Sequence, residues 1–222
     1  MLKLTVTYSY LLLPFLFLLL KGKFKVRIQI LLAIYGILFF LLLFFYEWLP
    51  KGDARRYFQA IYTLVEYSFF AYFFWYNIRK KKFKSFIILV SCLFFLFQIF
   101  YVTTSSFKRL DSISVGIEAI FIFMYVFYFF YEFSKTANDS FIYNHYCFWI
   151  SIGILIYLGG SFFFYILINQ LDTNEVDTFG KMTYIAEIIK NILFSIALFF
   201  SVKFPTNNIQ NKPQKIPNLD MY

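Results

Sequence analysis

The chain has 222 residues, 61% hydrophobic and 26% aromatic, with mean hydropathy +0.67 and a formal net charge of +9. Soluble domains run near about 45–50% apolar, and here the excess is spread along the whole length, which excludes a soluble domain with one anchor. The bases flank apolar stretches, so the positive charge points to anionic lipid and excludes nucleic acid as its partner.

Seven apolar stretches follow in order, each 17 to 22 residues long: Leu4–Leu20, Ile28–Leu49, Tyr57–Ile78, Phe86–Val102, Ile113–Tyr131, Cys147–Ile168 and Thr183–Val202. That length crosses a bilayer as a helix. The runs are continuous and do not alternate, so barrel strands are excluded. The first run could imitate a signal peptide, but it lacks a small-residue cleavage site and bases follow at once. It reads as a retained helix. Pro50-Lys51-Gly52-Asp53 breaks the chain after the second span, Asp111-Ser112 offers an N-cap for the fifth, and Pro205 follows the seventh. Residues 1–204 thus form one transmembrane domain. Residues 205–222 are polar, carry three prolines and read as a disordered cytoplasmic tail.

Orientation follows from the bases on the two sides of the seven crossings. One side has Lys3, Lys51, Arg55, Arg56, Lys108, Arg109 and Lys181. The other has thirteen, with clusters at 21–27 and 79–84. The richer side is expected in the cytoplasm, with the N-terminus outside. The expected fold is therefore all-α, a polytopic seven-helix bundle in a bacterial inner membrane.

Inside the spans lie Glu66, Gln98, Glu118, Glu187 and Lys190. Ionisable groups at such depth are costly unless paired or facing a polar cavity. Counting from the outer helix ends at 1.5 Å per residue puts Glu66 roughly 13 Å deep, Glu118 and Lys190 roughly 10 Å and Glu187 roughly 6 Å. Gln98 lies four residues from the outer end of its span. All five fall in the outer half, and nothing ionisable falls in the inner half. They are expected to converge on one outward-facing pocket that binds a ligand. Glu187 and Lys190, three apart on one helix, are expected to touch. The competing reading is a polar clamp that fixes helix packing.

The other candidates have simpler readings. The 35 Phe and 19 Tyr residues have AT-rich codons, and their abundance reads as compositional bias on lipid-facing surfaces, with Trp48, Trp75 and Trp149 near span ends. Cys92 and Cys147 have no ligand or redox spacing and read as packing residues. Gly159-Gly160-Ser161 and Gly116 permit close helix approach. His145 is the one histidine in the chain and reads as a solvated cytoplasmic loop residue. No motif for phosphate cradling, serine hydrolysis or zinc binding occurs. No catalytic residue, metal site or cofactor is expected.

Three stretches, Phe107–Ile120 (FKRLDSISVGIEAI), Phe148–Ile166 (FWISIGILIYLGGSFFFYI) and Ile188–Leu198 (IIKNILFSIAL), carry a resemblance. Together they resemble an uncharacterised family of small seven-helix bacterial membrane proteins that accompany sensor histidine kinases. The resemblance is best over the last four helices. It implies that the Asp111-Ser112 and Glu118 region and the Lys190-Asn191 pair belong to the family pattern, and it implies no activity. A lysine in the last span near glutamates is similar to retinal-binding rhodopsins. Their microbial members usually place Asp four residues before the lysine, where this chain has Ala186, and their Arg, Asp and Trp cluster is missing from the third span. No retinal is expected. Sugar transporters of the SWEET type share seven helices but need helix-breaking prolines in paired repeats, and here Pro14 alone lies well inside a span. Membrane lysoplasmalogenases usually have eight spans.

The expected role is non-enzymatic sensing of an external ligand or lipid, with the signal passed to a cytoplasmic or membrane partner. A small solute or proton-coupled transporter is the alternative, and a membrane lipid enzyme is third.

Overall fold

A computed structural model describes residues 2–20, 27–50, 52–104, 112–136, 142–167 and 173–203. The tail, Asp111 and the basic cluster at 21–26 lie outside the described residues. Those described are helical, with no strand among them. The helices are α1 (Leu2–Ser9), α2 (Leu12–Leu19), α3 (Arg27–Trp48), α4 (Asp53–Asn77), α5 (Lys81–Thr104), α6 (Ser112–Thr136), α7 (Tyr146–Leu167) and α8 (Thr173–Lys203). One 3-10 turn, Ile142–Asn144, precedes α7.

Five segments are long and apolar enough to cross a membrane: α1 with α2, α3, α5, α6 and α8. This is a membrane protein by that measure. The α7 run that meets the apolar standard, Tyr146–Phe162, is shorter. Helix α4 spans 25 residues but carries Asp53, Arg55, Arg56 and Glu66, which dilute its apolar character. It survives in the bundle by turning Thr63, Glu66, Tyr67 and Phe70 inward. Every helix brackets its expected span closely except α8. That helix begins ten residues early, because the polar stretch from Thr173 to Met182 continues the same helical ladder.

The first span is one rod broken in the middle. Pro14 has no N–H, and its ring crowds the carbonyl four residues back, that of Tyr10. The helix accordingly stops at Ser9 and restarts at Leu12, and the Tyr10 carbonyl takes its bond from the Leu13 amide instead. Gly36 on α3 lies against this break. A Cβ there would stand 2.7 Å from the Tyr10 carbonyl oxygen and 2.8 Å from Pro14 Cδ. The absence of a side chain at Gly36 is thus what lets α3 close on the break.

Helix α8 packs most extensively on α7 and also touches α1, α2 and α3. The close α7–α8 approach rests on small residues one heptad apart. Gly153 admits the Phe194 ring and Gly160 meets the Ala186 methyl. Only the second of these belongs to the expected Gly-Gly-Ser stretch; Gly159 faces open space. Helix α4 packs on α5 and α6. Consecutive rods run antiparallel. Contacts from Lys3 to Glu47 and from Arg56 to the Val102 carbonyl gather the starts of α1 and α4 with the ends of α3 and α5 at one end of the bundle. Gly52 opens α4 there at φ 122°, a left-handed conformation natural to glycine.

Candidate functional site: a caged lysine beneath a polar cavity

Lys190 is fully buried in α8, at 0% exposure, and Glu66 in α4 is 3% exposed. Lys190 Nζ lies 3.4 Å from Glu66 Oε1 and donates to the Tyr10 hydroxyl at 3.1 Å. Tyr10 in turn donates to Glu187 Oε1 at 2.5 Å. Tyr157 on α7 donates to the other Glu66 oxygen at 2.9 Å. Four rods therefore meet on one cation. The helix break explains the part Tyr10 plays, since it sits at the break and its hydroxyl bridges Glu187 and Lys190 of α8.

The ammonium is also walled by rings. Nζ lies 3.8 Å from the centroid of Tyr157, 5.2 Å from Tyr10 and 5.5 Å from Tyr35. A cation over an aromatic face is attracted by the ring quadrupole, most strongly where water is absent. Carboxylate, hydroxyl and three ring faces together replace the hydration a buried ammonium loses.

Above this network is a cavity of about 500 Å³. Glu187, Tyr62, Tyr157 and Thr183 are among its lining residues, and so are Lys3, Glu47 and Arg55. The last three sit at helix ends, so the cavity opens at the end of the bundle where α1, α4 and α8 begin. Lys3 pairs with Glu47 at 2.5 Å, with both side chains about half exposed. The Arg55 guanidinium lies 5.1 Å from the Tyr46 ring centroid and donates to the Leu49 carbonyl. The rim thus carries two bases and one acid, and an acid lies below it.

Not all five expected residues join this site. Glu66, Glu187 and Lys190 do. The expected direct contact between Glu187 and Lys190 is replaced by a relay through Tyr10, because Glu66 from α4 takes the lysine. Gln98 instead accepts from Ser114, a pair that joins α5 to α6. Glu118 is buried one turn further along α6. Neither Gln98 nor Glu118 is among the described residues that line the cavity, so the single shared pocket is corrected to a site of three residues and a separate polar seam. Helix α6 packs on α7, α4 and α5, and the described cavity lining comes from α1, α3, α4, α7 and α8. The seam continues with the Tyr67 hydroxyl, 3.0 Å from that of Tyr125 and 3.1 Å from Ser91.

The sequence reading missed the tyrosines. Tyr10, Tyr35, Tyr67, Tyr125 and Tyr157 are buried, contrary to their assignment to lipid. The available signal was spacing: Tyr10 lies four residues before Pro14, where the proline ring breaks the helix. His145 also departs from expectation. It stacks on Tyr146 at 4.8 Å, packs against Phe133 and accepts the Cys147 amide. Burial, aided by the Arg79 charge, pushes its pKa down to about 4. Among the described residues no group of three His, Cys, Asp or Glu is placed to hold a metal ion.

No family model, curated protein or solved structure matches the chain.

Proposed function

We propose that this is a seven-crossing, non-enzymatic sensory protein of the bacterial inner membrane, with its N-terminus outside. An external ligand occupies the cavity, and the response passes to a cytoplasmic or membrane partner. The observation that carries this reading is the cavity floor: Glu187 faces the cavity and is tied through Tyr10 and Lys190 to Glu66 and Tyr157. A ligand that disturbs Glu187 therefore disturbs contacts among four rods at once, which is a way for occupancy to bias helix packing. The thirteen-to-seven distribution of bases favours the cavity end as the outer one. The resemblance to small seven-helix proteins that accompany sensor kinases agrees with this role.

Reporter fusions test the orientation. Fusions after Gly22 and Phe83 are expected to read cytoplasmic, and those at Gly52 and Asn174 external. A cytoplasmic reading at Asn174 would place the cavity on the inside and end the external-ligand reading.

One observation favours a carrier as the second reading. Broken helices beside a buried charge are a recurrent feature of secondary transporters, and the α1–α2 break puts Tyr10 on Lys190. Proteoliposomes holding only this protein, supplied with labelled amino acids and amines and an imposed proton gradient, separate the two. A receptor gives no uptake above empty liposomes; a carrier accumulates solute without a partner.

A further inference from the structure

We infer that the cavity takes a ligand with an organic ammonium group, seated on Glu187 between the rings of Tyr62 and Tyr157. The inference rests on the reading of the cavity as the ligand site and specifies what enters it.

The first support is charge. The network at and beneath the cavity has two acids, Glu187 in the lining and Glu66 below it, and one lysine. Lys190 forms its ion pair with Glu66, while Glu187 accepts from the Tyr10 hydroxyl. Glu187 is 92% buried yet lines the cavity. A carboxylate held by a neutral hydroxyl at the bottom of a cavity favours a cation in that cavity.

The second support is precedent within the same chain. One turn below, the protein already binds an ammonium group, that of Lys190, with a carboxylate, a tyrosine hydroxyl and ring faces. The cavity repeats this set. Glu187 supplies the carboxylate and Tyr62 and Tyr184 supply rings beside it, while Tyr157 lies between the two positions and lines the cavity as well as the lysine. Ring faces attract alkylammonium and arylalkylammonium ions, which shed water more readily than sodium.

The third support is size. About 500 Å³ lies within the range of small-molecule sites and exceeds what a bare metal ion needs. Lys3 and Arg55 at the rim favour a ligand whose far end is neutral or anionic over a dication.

The experiment uses the full-length protein with Thr183→Cys as a reporter in the cavity and Cys92→Ser to remove the exposed native thiol. Cells are treated with a membrane-impermeant maleimide. Labelling from outside is expected. If Thr183→Cys reacts only after lysis, the outward-facing reading fails and this inference with it. Given labelling from outside, tyramine is expected to slow it about tenfold, the scale of one charge-assisted contact. Its neutral counterpart 2-(4-hydroxyphenyl)ethanol and an equal concentration of sodium chloride should leave the rate unchanged. In Glu187→Gln the tyramine effect should vanish, and in Glu187→Asp part of it should return. Labelling of those variants at the unprotected rate confirms that the cavity is intact. Equal protection by the neutral alcohol, by sodium, or by tyramine in Glu187→Gln would overturn the ammonium assignment and leave the outward-facing cavity standing.

Discussion

The two ends of the bundle use the same residue types in opposite ways. At the end where α4 finishes and α5 starts, Glu132 from α6 accepts the backbone amides of Arg79 and Lys80. Asn77 accepts from the Tyr146 hydroxyl and the Cys147 thiol, and Phe83 stacks flat on Tyr128 at 3.5 Å. There the acid caps a helix and the rings close the gap. At the other end Glu187 and Glu66 are held by side-chain hydroxyls and one lysine, and a cavity stands over them. An acid that satisfies orphan amides is committed to the fold. An acid held by a hydroxyl beside a cavity keeps an oxygen for something else.

The sharpest way to break this contrast is Lys190→Met. It strands Glu66 in the bundle, and removing one partner of a buried pair costs about 3–5 kcal/mol. Unfolding in detergent should show the loss. Adding Glu66→Gln should restore more of it than adding Glu187→Gln, since Glu66 is the direct partner. Equal rescue by the two would mean the charge is shared and the relay through Tyr10 is not the organising contact.

Gly36→Ala tests the helix break. The new methyl meets backbone at 2.7 Å and a proline ring at 2.8 Å, neither of which can swing aside. Overpacking of this kind costs about 1–3 kcal/mol. The double variant with Lys190→Met should be less than additive if the break serves to place Tyr10; full additivity would separate the break from the site.

At the capped end, His145 gives a pH test. Its pKa is about 4 in the folded chain against about 6.5 unfolded. A lowered value means the unfolded state takes the proton first. Stability from this group is therefore full above about pH 6.5 and falls as pH drops toward 4. Between pH 7.5 and 5.5 the loss is about 1 kcal/mol, and His145→Phe should remove that pH dependence. A slope unchanged in His145→Phe would assign it to another group.

The smallest effect is expected at the Gln98–Ser114 pair of the seam. Ser114→Ala leaves Gln98 without this donor and should cost about 1 kcal/mol. The double variant with Gln98→Leu should be close to neutral, because no charge is stranded. A large loss in that double variant would make the seam more than packing.

The sequence made the rods legible because apolar length is a local property. That Glu66 and Lys190 lie inside the bundle was legible too, since each falls well within an apolar run, and the two meet there. Which partner each acid finds was not legible. The i to i+3 rule brings Glu187 and Lys190 onto one face, but a rule about one helix is silent on what neighbouring helices offer. Glu66 and Tyr10 come from α4 and from a break in the first rod, 124 and 180 positions away from Lys190 in the chain. Composition misled for the same reason. Composition counts the tyrosines, and packing decides that Tyr10, Tyr35 and Tyr157 surround a cation while Tyr8 and Tyr72 stay on the surface. Glu132 lay one residue past an expected span, where the nearby basic cluster at 79–84 hid its role as a cap for backbone amides.

The hydrogen-bonded chain of the site begins at the cavity with Glu187, runs through Tyr10, Lys190 and Glu66, and ends with Tyr157, which lines the cavity again. It is a loop with both terminals on one side. The buried polar groups further down α8 pair as neutral units, Asn191 with Ser9 and Ser201 with Gln29. A proton that enters such a loop at one terminal can be held or handed back at the other, but along these residues it has no route to the opposite end. Along these residues the arrangement has the form of a reservoir and not of a wire, and it joins the cavity to the packing of the helices that carry it.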